Sequence, residues 1–381
     1  MYWWALGTAK LIRHLYVHIP YCVAKCPYCD FNSLAGREEE YSAYVDALLR
    51  EADHLEGGPY ETIFIGGGTP SILPPALLKK LLAGLRERLQ LADDYEWTME
   101  ANPGSVDAER FALAAAYGIN RLSLGIQSVH EHHLRFLGRV HSVDEAERAL
   151  ALATTTFPRV SADMIVGLPE QSVAEIVEEI AWYQRHGLRH ASIYHLAYEP
   201  GTEFYARHRR GELKDIDAET SLAILDAVEQ GMKSLGMQAY ETSNYAVPGE
   251  ESRHNLGYWR QHDYEALGAG AVSTVKGERL TRQEHPARYI EALDGREDLY
   301  RKREHLSAAE VLRECWMLGL RLAEGVSLRR LEDLGDAKER WQPLVDELSD
   351  WGLLELSDGH IRLSAAGRRL QDAVTVKLLP D

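Results

Sequence analysis

Short apolar or β-branched runs alternate along this chain with longer stretches in which apolar residues recur every three or four positions. The runs are "LYVHI" (15–19), "TIFIG" (62–66), "EWTME" (96–100), "RLSLG" (121–125), "VSADMIV" (160–166) and "HASIYHL" (190–196). Helical spacing fills the intervals at 37–55, 74–89, 107–117, 143–154 and 173–185. Strand, helix, strand repeated in this way is the signature of βα units around a parallel sheet. Six such units are too few for an eight-fold barrel, so the pattern predicts an α/β fold built as a partial (β/α)6 TIM-like barrel. An open doubly wound sheet has the same local pattern.

The rhythm breaks beyond Leu235 into a Gly-, Tyr- and His-rich region, "YETSNYAVPGEESRHNLGYWRQHDYEALGAGAVST" (240–274). From Ser307 onward three helical stretches precede "GLLELSDGHIRLS", in which "SDGH" joins two short strands as a hairpin. The chain therefore divides into a partial barrel (1–236), a linking region carrying "HNLGYW" (237–300) and a C-terminal winged-helix-like α+β domain (301–381).

Charge narrows the partners. Over 381 residues the formal net charge is −17, without the basic stripe that a nucleic-acid footprint requires. The tail holds 13 Lys plus Arg against 15 Asp plus Glu between 301 and 381, so we expect it to cap the barrel rather than bind DNA. No apolar run approaches the length of a membrane span. The opening "MYWWALGTAKLIRH" lacks both a preceding positive charge and a small-residue cleavage site, so it does not read as a signal peptide. Four cysteines, three of them clustered, make no disulfide framework. Thiols that must stay reduced fit the cytoplasm.

Polar and glycine-rich chemistry collects after each run in turn. The cysteine loop follows the first, "GGGTPS" (66–71) the second, Glu100 ends the third, Gln127 follows the fourth and Asp163 lies within the fifth. Ligands bind at the carboxyl ends of the strands in either candidate architecture. Cys22, Cys26 and Cys29 are one thiolate short of a closed tetrahedral site. A structural zinc ion would need His18 or a distant residue as its fourth ligand. Three thiolates on one compact loop suit three corners of a [4Fe–4S] cube, with one iron left open to an exogenous chelator.

C-x3-C-x2-C after a first strand, with "GGGTP" after the second, resembles the radical S-adenosylmethionine superfamily. That resemblance implies a [4Fe–4S] cluster on Cys22, Cys26 and Cys29, S-adenosylmethionine on its unique iron, and a reduced flavodoxin or ferredoxin-type electron donor. Gly66, Gly67 and Gly68 let backbone approach the ligand closely. Glu100 suits its ammonium or a ribose hydroxyl, Arg139 its carboxylate, Gln127 and Asp163 its ribose, and Tyr16 packs near the adenine or the cluster.

The motifs "YVHIPYC", "CPYC", "GGGTPS", "EANPGS", "RLSLGIQS", "LGRVHS", "DMIVGLPEQS" and "LAYEPGT" together resemble the oxygen-independent coproporphyrinogen III oxidase group. By that likeness Tyr16, Gly67, Thr69, Glu100, Gln127, Arg139, Asp163 and Ala197 carry over as S-adenosylmethionine contacts. The group divides into true oxidases and HemW-like heme chaperones. The oxidases carry a further cysteine where this chain has Phe31, and a long N-terminal arm where only fifteen residues precede Tyr16. "HNLGYW" (254–259) matches the H-N-x-x-Y-W motif of the HemW-like branch, which implies heme as ligand and a heme-acceptor protein as partner. An imidazole such as His254 can ligate heme iron, and Tyr258 and Trp259 offer flat area to a porphyrin. Ser252 and Val272 stand where that branch usually has a cysteine and a histidine. The competing expectation is a radical enzyme that decarboxylates coproporphyrinogen III or another tetrapyrrole.

Overall fold

Leu15, Val17 and Ile19 are fully buried on one face, and His14 and His18 on the other are nearly so. A strand covered on both faces belongs in a parallel sheet flanked by other layers. In a computed structural model of the chain, which describes residues 11–380, this strand is β1 (His14–Ile19). It is followed by β2 (Tyr60–Gly67), β3 (Leu91–Ala101), β4 (Arg121–Gln127), β5 (Arg159–Val166) and β6 (His190–His195). Most of the opening segment read above as lacking a signal peptide, residues 1–10, lies outside the described residues.

The helices fall where the spacing predicts them: Tyr41–Ala52, Pro75–Arg88, Ala108–Ala116, Val143–Thr156 and Val173–Arg185. Ser142 and Ser172 each start a helix with a reciprocal capping box, closed by Glu145 and Glu175.

Strand order separates the two architectures left open by the pattern. β1 to β6 lie side by side in chain order, all parallel. A doubly wound sheet reverses its order partway, so that right-handed crossovers place helices on both faces. Among these six strands no reversal occurs, and successive crossover helices pack against one another on one face, as in a barrel wall. The sheet stays open among the described residues.

Residues 238–305 extend it at both edges. β7 (Gln238–Ala239) and β8 (Asn244–Ala246) lie beyond β6, with β8 antiparallel to it. On the other side β9 (Tyr264–Leu267) runs parallel to β1, followed by β10 (Val272–Val275), β11 (Glu278–Arg282) and β12 (Tyr300–His305). Between β8 and β9 the short helix Arg253–Trp259 crosses the amino ends of the strands, held by backbone N–H groups of Arg253 and His254 that donate to the Glu96 carboxylate at 3.2 and 3.1 Å.

The tail has its own core around Trp316, Leu320, Leu331, Trp341, Val345 and Ile361. Its hairpin turns through Asp358 and Gly359 at φ 52° and 75°, the pair of left-handed residues that a two-residue turn of matching twist demands. Glu314 receives both Arg279 guanidinium branches at 2.7 and 2.9 Å, and Gln261 donates to the Val311 carbonyl at 3.0 Å. Among the described residues no helix is long and apolar enough to cross a membrane.

Candidate functional site

The loop after β1 carries the three clustered cysteines. It is pinned where Tyr21–Cys22 pairs with Leu34–Ala35 and where the Cys29 N–H donates to the Cys26 carbonyl at 3.1 Å. All three thiols are free and partly exposed, and they line a cavity of about 360 Å³ at the carboxyl ends of β1 to β6. Cys315 lies apart, buried in the core of the tail.

Burial pushes the Cys22 and Cys29 thiols up, so holding thiolates there requires positive charge or donors. Thr69 donates to Cys22 Sγ at 3.6 Å, and Arg139 Nη1 donates to Cys26 Sγ at 3.4 Å. A bound metal would supply the remaining charge, since metal ligation is coupled to deprotonation.

Two glycines after β2 are required by their neighbours. Gly67 has φ +114°, and a Cβ there would come within 2.5 Å of the His18 imidazole. At Gly68 a Cβ would meet the Tyr21 carbonyl oxygen at 2.5 Å. The bare backbone leaves the Gly67 N–H free to donate to Glu100 Oε2 at 3.0 Å.

Glu100 and Asp163 face the cavity from neighbouring parts of the wall. Burial, reinforced by Asp163, pushes the Glu100 carboxyl up to about 8. Asp163 is raised by burial as well, and Ser123 donates to it at 3.0 Å. Two half-buried carboxyls lining the cavity, without a cationic partner within hydrogen-bond reach, are suited to a cation there. Gln127 closes β4 at φ +70°, a left-handed conformation uncommon for any residue but glycine. Strain of this kind is retained where the surrounding structure holds it at a functional site.

Arg139 reaches in from the loop after the helix Glu131–Phe136. Its Nη1 meets Cys26 and the Tyr28 hydroxyl, and its Nη2 meets Asn102 Oδ1 and, at 3.2 Å, the Gly125 carbonyl. Nε remains buried with no hydrogen-bond partner. An orphaned guanidinium N–H beside the thiols fits an incoming carboxylate. The residues present thus match a cluster-bound amino acid: three thiols, one spare guanidinium donor, and two acids for a cation.

Of the residues expected to contact S-adenosylmethionine, Gly67, Gly68, Thr69, Glu100, Gln127, Arg139, Asp163 and Ala197 all line this cavity with the three cysteines. Tyr16 does not. Its hydroxyl bonds to His18 Nδ1 at 2.8 Å, and the other His18 nitrogen bonds to the Asn32 carbonyl at 2.8 Å. Tyr16 therefore acts on the cysteine loop through His18.

His254, Tyr258 and Trp259 are also outside it. The helix that carries them closes the opposite end of the sheet, where His254 Nδ1 bonds to Thr62 Oγ1 at 2.7 Å. His254 is 1% exposed, stacked on Phe64 and edge-on to Tyr258, with Nε2 buried and unpartnered. Trp259 turns toward the tail, under the Arg321 guanidinium at 4.5 Å. Ser252 caps this helix by accepting from the Asn255 N–H.

Sequence reasoning passed over Asn102, which joins Arg139 to Thr69 through Oδ1 and Nδ2, and Ser123, which steadies Asp163. A signal existed for Ser123. It alternates with Gly125 and Gln127 at the two-residue period of a strand, which puts all three on the cavity face.

Residues 16–183 match the radical SAM superfamily, and residues 306–370 match the HemN C-terminal domain. The heme chaperone HemW of Escherichia coli (strain K12) is 44% identical over 297 residues, covering 73% of this chain and 77% of that one. HemW of Bacillus subtilis (strain 168) is 33% identical across 95% of this chain and 98% of its own. The mitochondrial radical S-adenosyl methionine domain-containing protein 1 of Mus musculus is 34% identical, covering 98% of this chain and 88% of that protein. Among solved structures, the coproporphyrinogen III oxidase HemN of Escherichia coli superposes with a TM-score of 0.82 at 22% identity, over 97% of this chain and 90% of that one. A likeness of that kind speaks for the fold, whereas identity sustained over nearly whole chains speaks for descent: the chain belongs to the radical SAM superfamily and, within it, to the HemW family.

Proposed function

We propose that this protein is a heme chaperone: it binds heme and passes it to an acceptor protein, while Cys22, Cys26 and Cys29 hold a [4Fe–4S] cluster and the adjoining cavity holds S-adenosylmethionine. The observation that carries the cofactor part is the meeting of three free thiols, the orphaned Arg139 Nε and the Glu100–Asp163 pair in one cavity. In this reading Arg139 takes the ligand's carboxylate, Glu100 its ammonium, and Asp163 and Gln127 its ribose hydroxyls. When bound, the cluster supplies one-electron reducing power and an iron with a free coordination position. Its electron comes from a reduced flavodoxin or ferredoxin-type donor, and the free thiols fit a cytoplasmic setting.

The heme part rests on the HemW relatives and on the cavity rim. Val23, Phe31 and Val140 stand 55%, 59% and 59% exposed around the opening, and exposed apolar area at a cavity mouth suits a flat apolar ring. Phe31 occupies the place of the extra cysteine expected of the oxidases. Axial ligation by His254 requires the helix Arg253–Trp259 to swing away from the strand ends, because its free Nε2 is buried there.

Heme titration of the anaerobically reconstituted protein, with and without S-adenosylmethionine, tests the reading. A saturable Soret band followed by transfer to an apo-hemoprotein is expected. A Soret band unchanged in His254→Ala removes that residue from the site. Formation of protoporphyrinogen IX from coproporphyrinogen III would replace the chaperone with an oxidase.

A further inference from the structure

The stretch "VHEHHLRF" (129–136) places three histidines within four positions, and neither the cluster cavity nor the HNLGYW helix uses them. They begin the helix Glu131–Phe136, which lies beside the amino end of the helix Val173–Arg185. His132 Nε2 is 3.1 Å from Glu175 Oε1, and His133 Nε2 is 3.3 Å from the same oxygen. The two imidazole centroids are 4.0 Å apart. His133 is 2% exposed, yet its Nε2 makes no aligned hydrogen bond. Leaving a buried ring nitrogen unsatisfied is costly, which is a reason to look for a missing partner.

An ion fits the spacing. Nitrogen and oxygen ligands sit about 2.0–2.1 Å from zinc, so the edge of a tetrahedral site is roughly 3.3–3.4 Å. The two histidine-to-carboxylate separations are close to that edge, and the three ligand atoms all lie within 4.8 Å of one another. The carboxylate is held ready. Its other oxygen, Oε2, receives the Ser172 backbone N–H at 2.8 Å and the Ser172 hydroxyl at 2.9 Å, leaving Oε1 turned to the histidines. Support of this kind from outside the ligand set orients metal ligands in general. Two imidazoles and one carboxylate favour zinc and its neighbours over magnesium or calcium, which prefer all-oxygen sites.

We propose that His132, His133 and Glu175 form a binding site for one divalent transition-metal ion of the zinc type, with water completing the shell. The site bears on the cluster cavity through the chain that follows it. Arg139 donates its backbone N–H to the Leu134 carbonyl at 2.9 Å, and its guanidinium meets Cys26. An ion joining the two helices therefore fastens the segment that aims Arg139.

Calorimetric titration of the cluster-loaded chain with Zn²⁺ tests the site, because the loop cysteines are then engaged. One saturable equivalent is expected, unaffected by excess Mg²⁺. His132→Ala removes an exposed ligand, and Glu175→Gln keeps a residue that still closes the capping box; each is expected to weaken binding tenfold or more. His305→Ala, which removes an exposed histidine paired with a single carboxylate, should leave it unchanged. Zn²⁺ should also raise the melting temperature of the parent chain and not that of His132→Ala. Absence of saturable binding overturns the proposal. So does an affinity unchanged in both ligand variants, or binding lost when Cys22, Cys26 and Cys29 are all replaced by alanine.

Discussion

At the scale of single residues, Glu100 decides how the cavity responds to pH. Its carboxyl is raised from its ordinary 4.5 to about 8, by burial first and by Asp163 second, so in the empty cavity it is largely protonated at neutral pH. Below pH 4.5 the folded and unfolded chains both hold this proton. Above that the unfolded chain releases it first, so Glu100's contribution to stability falls as pH rises toward about 8. A cationic ligand reverses the preference by favouring the carboxylate. Binding of S-adenosylmethionine should therefore release a proton at pH 7, seen as a calorimetric enthalpy that depends on the buffer. Apparent affinity should fall up to about tenfold per pH unit below the shifted value, and Glu100→Gln should abolish both effects. The cysteines give a second outcome at this scale. Cys22→Ala, Cys26→Ala and Cys29→Ala should each abolish the electron paramagnetic resonance signal of the reduced [4Fe–4S] cluster. Cys315→Ala, in the core of the tail, should preserve it.

At the scale of elements, the helix Arg253–Trp259 depends on one buried side chain. Glu96, fully enclosed, takes Arg159 Nη1 at 2.7 Å together with two backbone N–H groups of that helix. Glu96→Ala leaves these donors unpaired and should cost about 3 kcal/mol, in the range of a broken buried pair. Denaturant unfolding measures the loss, and hydrogen exchange should rise first at residues 253–259. The winding of the sheet belongs to this scale as well. Five amphipathic intervals between six apolar runs were legible in the chain, because burial of one helix face imposes a local period. Whether the strands would lie in chain order or reverse was not legible, because both solutions bury the same local pattern.

For the whole molecule, shape and charge point in different directions. A winged-helix outline invites DNA, but the chain carries a formal net charge of −17, and affinity for duplex is dominated by neutralised phosphates. An electrophoretic mobility assay at physiological salt should show no retained duplex, and a shifted band would contradict the reading of the tail as a cap. The contacts that join the tail to the linking region, Arg279 with Glu314 and Arg260 with Glu324, and to the barrel, Arg368 with Glu229, pair residues that the sequence keeps far apart. Nothing in local spacing could have matched them.

The sequence by itself determined what is local. The cysteine spacing places three thiols on one loop, the glycines permit a close backbone approach, and the alternation of runs sets the six parallel strands from β1 to β6 and the five helices between them. Only the tertiary structure decided what depends on neighbours distant in the chain: that Asn102 joins Arg139 to Thr69, that Tyr16 bonds to His18 outside the cavity, and that His254 is buried at the other end of the sheet from the cysteines. The physical reason is common to all three. A side chain's residue type and period say which face it occupies, but which groups it meets there follows from strand order and crossover direction, and these are selected by burial over the whole sheet.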